Sequence, residues 1–333
     1  MCGIAGKLNF NPLNNVNQQE LDAMINKIKL RGPDDKGTRI FNNVGLGFRR
    51  LSIIDIKNGH QPMSNKQKNV WITFNGEIYN FKELKNSLQK KGYKFFSKSD
   101  TEVIIYLYEE YGQKCVSLLR GMFSFVLWDD RKKILFGVRD RVGIKPLYYY
   151  VDKNQFIWAS EIKAIKAAKG LDLKLSPKSL DQYMTYGYTL GENSIFTKIK
   201  KLNPGSSFVI KPFNSQELII KKYWSLNFNP QNDMEEHTIK EKLKNKIEDA
   251  VKMRLVSDVP LGAFLSGGID SSAVVSIMAK NSEKPIKTFS IGFSDPSFNE
   301  LDYAKLVSDK YKTDHHELII EPKSIDLLTS LVN

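Results

Sequence analysis

Cysteine is nearly absent from this chain: Cys2 and Cys115 are the only two among 333 residues. So sparse a supply excludes a disulfide scaffold and suits a reducing compartment, and a cytoplasmic protein is expected. Four histidines without paired spacing give no zinc signature. Long hydrophobic runs are missing too. The longest are of strand length, which excludes a membrane-spanning helix and makes a membrane partner unexpected. No apolar stretch follows a basic start, so neither an export signal nor a lipidated Cys2 is expected. Arginine-rich tracts and aromatic platforms are lacking as well. The net charge of +13 comes from 50 basic against 37 acidic residues, the lysines being spread through every segment. That distribution reads as a solvated surface that attracts anionic substrates, not as a nucleic-acid interface.

What is present fits a soluble globular protein of about two domains, with 41% apolar and 26% charged residues. Residues 3–10 read as a strand, and Asn17 with Glu20 three residues on reads as a capping pair. Leu21, Met24, Ile25 and Ile28 then form the buried stripe of a helix. Val44–Ile54 and Val70–Phe74 read as strands, the second leading into Asn75-Gly76-Glu77. A helix spans Phe81–Lys91, and Ser99 to Glu102 caps another. Two hairpins follow, Phe123–Val138 and Tyr148–Ala159. The first part is therefore expected to be an α+β structure of antiparallel sheets layered with helices. Beyond the polar stretch Asn227–Glu236 the pattern changes. Helix Ile239–Leu255, strand Leu261–Leu265, a helix from Ser271, strand Thr288–Phe293, helix Leu301–Lys312 and strand His316–Ile320 read as β-α-β-α-β, a parallel sheet. The expected divisions are 2–212, a linker at 213–235, and 236–333.

Two stretches carry chemistry. Removal of Met1, usual before a small residue, leaves Cys2 with a thiol and a free α-amine. A thiol is a weak nucleophile at neutral pH without a base, and an amine titrating near ~8 can be that base. For the dipeptide alone, a frayed terminus with an incidental cysteine is the better account. The second stretch is Ser266-Gly267-Gly268-Ile269-Asp270-Ser271-Ser272, set between a strand and a helix. Glycines admit an anion close to the backbone, the helix start favours phosphate, and Asp270 can hold magnesium. It lacks the Gly-Lys-Ser/Thr of a Walker loop.

That loop resembles the pyrophosphate loop of N-type ATP pyrophosphatases. Together with Met1-Cys2-Gly3-Ile4-Ala5-Gly6, the chain resembles the glutamine-dependent asparagine synthetase family. Further blocks carry the likeness: Arg31-Gly32-Pro33-Asp34, Arg50-Leu51-Ser52-Ile53, Asn75-Gly76-Glu77-Ile78-Tyr79-Asn80, Ser99-Asp100, Arg120 to Phe123, Arg139-Asp140-Arg141, Gly143 to Tyr148 and Ser257 to Gly262. The resemblance implies an N-terminal-nucleophile (Ntn) hydrolase domain followed by a partial α/β ATP pyrophosphatase domain. It implies that Cys2 attacks the amide of glutamine, with Asn75 and Gly76 donating to the oxyanion. Arg50 would take the α-carboxylate and Asp100, near Glu77, the α-ammonium; main-chain groups at Leu51 and Ile53 complete the pocket. It further implies ATP and Mg2+ as cofactors, with Leu265, Ser266, Gly267, Gly268, Asp270, Ser271, Ser272 and Ile291 at the nucleotide and the metal on Asp270.

Each residue has a plainer counterpart: Arg50 as a surface ion pair, Asn75-Gly76 as a hairpin turn, Asp100 as a helix cap. Three strands are fewer than the five or so an open nucleotide-binding sheet uses, so the second domain is expected to be incomplete. On that expectation the chain hydrolyses glutamine but does not make asparagine alone. A relative amidating a sugar acid, peptide or wall precursor, and an idle or RNA-binding relative, are the competing expectations. A homodimer is compatible with all of them.

Overall fold

The computed structural model describes residues 1–213, 217–229 and 233–320. The chain divides into two compact units, Met1–Phe228 and Asn229–Asn333.

The first unit is built on two six-stranded sheets, antiparallel throughout. One runs, in spatial order, Ile199–Lys201, Tyr148–Val151, Gln155–Ala159, Gly3–Asn9, Val44–Arg50, Asp35–Phe41. The other runs Leu218–Lys222, Ser206–Ile210, Ile134–Arg139, Gly121–Asp129, Val70–Ile78, Met63–Ser64. Strand alternation explains how they stack. Ile4, Leu8, Val44, Leu46, Phe48 and Trp158 of the first sheet share one buried cluster with Val126, Trp128, Leu135 and Phe208 of the second. The opposite face of the first sheet is lined by Ala5, Gly45 and Gly47. A Cβ on Gly45 or Gly47 would stand within 2.8 Å of Val16 or 2.6 Å of Ile25. Small residues there let helix Gln18–Lys27 lie close, burying Leu21, Met24 and Ile25. Helix Asp100–Tyr111 packs on the second sheet. The result is a four-layer α-β-β-α arrangement.

Four expectations change. Asn17 does cap its helix, accepting from the N–H groups of Gln19 and Glu20, but Glu20 does not reciprocate. Its carboxylate instead meets Lys7 at 2.7 Å and accepts the Lys169 N–H at 2.8 Å, both side chains being buried. A charge on the outer face of a central strand needs a partner more than the helix end needs a second cap. Strand Val44–Arg50 stops short of Ile54 and strand Val70–Ile78 runs past Phe74, because unbroken pairing with Gly121–Asp129 holds it extended through Asn75 and Gly76. Residues 218–222, inside the stretch read as a linker, pair with Ser206–Ile210.

The second unit has a parallel sheet in the order Gly262–Phe264, Lys287–Phe293, Asp314–Ile320. Helices Ile269–Lys280 and Leu301–Tyr311 form its crossovers, with helix Glu236–Met253 preceding. Val251, Leu265, Val275, Met278, Ile286 and Ala304 make its core.

Candidate active site

Pairing of Gly3 with Arg49 sets Cys2 beside the point where the chain leaves strand Val44–Arg50. There the Leu51 N–H donates to Cys2 Sγ at 3.4 Å, and the thiol faces the Leu51 carbonyl at 3.6 Å. Arg31 Nε donates to the Cys2 carbonyl at 2.9 Å and Nη1 to Glu161 at 3.0 Å, pinning the main chain under the sulfur. Burial pushes the thiol above its ordinary value; the Leu51 N–H, the amino terminus and Arg50 pull it back. Burial also draws the Met1 α-amine below its ordinary value.

Stacking of the sheets brings the second-sheet strand Val70–Ile78 to the same place. A cavity of ≈170 Å³ is lined by Cys2, Arg50, Asn75, Glu77, Asp100 and Lys145, with Leu51, Ile53 and Gly76 contributing to its wall. Asn75 is 1% exposed, and neither its Oδ1 nor its Nδ2 has a hydrogen-bond partner. An unpaired buried amide costs about 1–3 kcal/mol, and this one borders the cavity with both its donor and its acceptor free of protein partners. Strand alternation supplies a second donor. Phe74 N–H goes to Gln61 Oε1 at 2.7 Å and Ile78 N–H to Asp100 Oδ2 at 2.9 Å, both along the edge that faces away from strand Gly121–Asp129. Gly76, midway between them, points its N–H to that same edge. Phe123, opposite Gly76, accepts the Asp140 N–H at its carbonyl, on its far side, at 2.8 Å. Gly76 must be glycine, since a Cβ would lie 2.2 Å from the Met122 carbonyl oxygen.

Arg50 is no surface ion pair. Its guanidinium is buried and donates to the carbonyls of Ile54, Asp55 and Ile56 at 3.1, 2.7 and 3.0 Å, which fixes its plane and leaves part of its five-donor fork unspent. Asp100 is 4% exposed at the start of its helix, where Ser99 is the cap. Burial pushes its carboxyl up to about 7, against the pull of the Ile78 N–H. Residue-type reasoning passed over Gln61, Arg31 and Lys145 as site residues. The last two stand inside blocks that carried the resemblance, and that is the only signal they gave.

In the second unit Leu265 to Ser272 turns directly into helix Ile269–Lys280. Gly267 sits at φ +81°, and a Cβ would lie 2.4 Å from Tyr303 Cβ, so both conformation and space demand glycine. Ser266 Oγ accepts the Gly268 N–H at 3.3 Å and meets Ser271 Oγ at 3.1 Å; Ser272 Oγ is buried without a partner. Asp270 is exposed in the first helical turn. Leu265, Ser266 and Ile291 share a second cavity of ≈200 Å³ with Ser290 and Glu300. Among the described residues no cluster of three metal-ligating side chains occurs.

Residues 1–224 match the family model described as glutamine amidotransferase domain. The chain belongs to that family. Residues 242–332 match a second model, asparagine synthase. An asparagine synthetase [glutamine-hydrolyzing] 1 of Bacillus subtilis is 42% identical over 97% of this chain and 51% of its own length. Amidase chry2 of Gibberella zeae is 38% identical over 78% of this chain and 39% of its own. The chain spans about half the length of the curated relatives it matches. A glutamine phosphoribosylpyrophosphate amidotransferase from B. subtilis, solved with ADP and GMP, superposes with a TM-score of 0.50 at 15% identity over 97% of this chain and 69% of that one. That likeness shows the fold of an Ntn amidotransferase.

Proposed function

We propose that this chain hydrolyses glutamine at Cys2 and that its second unit takes part in ATP-dependent amidation of a carboxylic acid, aspartate in the first reading. The orphaned Asn75 amide, which lines one cavity with Cys2, carries the proposal. With Met1 removed, the α-amine of Cys2 accepts the thiol proton as sulfur attacks the glutamine side-chain carbonyl. Charge moves to the carbonyl oxygen, where Asn75 Nδ2 and the Gly76 N–H donate to it. Such donors are worth about 3–4 kcal/mol each. Collapse, with the Cys2 α-ammonium passing its proton to the departing nitrogen, expels ammonia and leaves a thioester, which water opens to glutamate and the free thiol. The unspent donors of Arg50 receive the α-carboxylate, and ionised Asp100, with Glu77 nearby, receives the α-ammonium.

In the second unit the donor set suits a triphosphate: helix-start N–H groups, the orphaned Ser272 hydroxyl and one carboxylate. Magnesium, which needs only one or two carboxylates when phosphate oxygens complete its shell, would rest on Asp270 and neutralise phosphate charge. Leu265 and Ile291 would border the base. The acid activated there takes the ammonia.

A second reading keeps the glutaminase and changes the acid, favoured by the amidase relative at 38% identity. Release of ammonia and glutamate from glutamine, lost in Cys2→Ala, tests the first unit. Formation of AMP and pyrophosphate that depends on aspartate, or on another acid in a screen, separates the two readings; absence of glutaminase activity in folded, processed protein would refute both.

A further inference from the structure

The cleft holds one cation that glutamine hydrolysis as described leaves unused. Lys145 is 6% exposed and lines the cavity with Cys2 and Glu77. Its place is set by the main chain. The buried Asp140 carboxylate accepts the N–H groups of Val142, Ile144 and Lys145 at 3.2, 2.9 and 2.9 Å, and of Phe123 at 3.1 Å. Arg139 Nε ties the Lys145 carbonyl at 2.9 Å. The loop is thereby locked to the strand beside Gly76, while Lys145 Nζ makes no hydrogen bond among the described residues.

We propose that Lys145 is a positioning residue for the Cys2 nucleophile: its ammonium, fixed in the cleft wall, favours the thiolate and the neutral terminal amine over the thiol and the ammonium. The other groups facing this point divide by sign. Arg31 and Arg50 are the cations, the first bound to Cys2 and Glu161 and the second to loop carbonyls. Asp34, Glu77, Asp100 and Asp140 are the anions that act on the Met1 terminus, the lysine or the thiol. Burial lowers the lysine's own proton affinity, Glu77 opposes that, and Cys2 and Arg31 lie within its field. Few waters can screen charges in so small a cavity, so a cation without a hydrogen bond among the described residues acts at longer range than it would at a surface.

The inference rests on Cys2 being the glutaminase nucleophile, and its test separates the two claims. The pH dependence of Cys2 alkylation by iodoacetamide reports the thiol whether or not glutamine is turned over. In the full chain, Lys145→Met is expected to move the acid limb of alkylation, and of glutamine hydrolysis, upward by about half to one pH unit. That corresponds to a three- to tenfold loss near pH 6.5 that recovers near pH 9. Lys145→Arg should restore the limb, and an unchanged melting temperature should accompany both variants. An alkylation limb that does not move in folded Lys145→Met overturns the proposal. A limb that moves in protein that never hydrolyses glutamine upholds Lys145 and overturns the function instead.

Discussion

The two candidate sites solve opposite problems. At Cys2 the reacting groups are buried polar side chains, Asn75 and Asp100 above all, contributed by segments far apart in sequence and held by two stacked sheets. At the glycine loop they are consecutive residues, Ser266 and Asp270 exposed, carried by one strand-to-helix turn. A site assembled from long-range pairing has polar groups whose partners are missing until substrate arrives. A site made of a helix start recognises its ligand largely through main-chain groups, joined here by the Ser272 hydroxyl and the Asp270 carboxylate, so glycine geometry weighs more there than at Cys2. Substitutions should therefore be severe and chemical in the first, milder and mostly about shape in the second.

The sharpest break is Cys2→Ala, which should reduce glutamine hydrolysis by at least about 10³-fold without changing the melting temperature; ammonia release measures it. Asn75→Ala should lower kcat by about 10²–10³-fold with little change in KM, since the lost donor serves charge present only in the transition state. Asp100 gives a pH signature. Its carboxyl, held near 7 by burial, must ionise to receive the α-ammonium, so KM for glutamine should rise about tenfold per pH unit below 7, and Asp100→Asn should flatten that slope. The sign for stability is the reverse. The folded free protein holds the proton that the unfolded chain loses near 4, so this group's contribution is full below about 4 and is lost as pH rises to about 7. Urea midpoints across that window, compared with Asp100→Asn, measure the difference.

In the second unit Gly267→Ala should weaken nucleotide binding by about tenfold or more, through a strained positive φ and the clash with Tyr303. Ser266→Ala, which removes an exposed hydroxyl, should cost only two- to threefold. Fluorescent-nucleotide titration reads both. If Ser266→Ala proved as harmful as Asn75→Ala, the contrast between the sites would fail.

The same contrast governs what could be read from residues alone. Local signals were clear where the chemistry is local: the Asn17 and Ser99 caps, the Phe123–Val138 hairpin and the glycine turn at 267 all appear. Asn75-Gly76 looked like a turn because those residues favour one. It is extended because nine consecutive cross-strand pairs, Val70↔Asp129 through Ile78↔Gly121, outweigh local preference. Glu20 was assigned to a cap because Lys7 is a neighbour only once the sheet forms. Arg50 has a surface ion pair as its plainer reading and Lys145 is only one member of a matching block, and nothing in their sequence neighbours announces burial. Asp140, which anchors the loop bearing Lys145, has a role visible only in its four main-chain partners. The resemblance names Cys2, Arg50, Asn75, Gly76, Glu77 and Asp100 together, and one cavity holds them, but it does not reveal the sheet edge that lines them up.

The most direct test of the Cys2 cleft is the intact mass of the chain after treatment with an electrophilic glutamine analogue. The expected product begins at Cys2, lacks Met1 and carries one adduct on that residue, with loss of the adduct on competition by glutamine. Material that turns over glutamine while retaining Met1, or that carries the adduct elsewhere, would contradict the account.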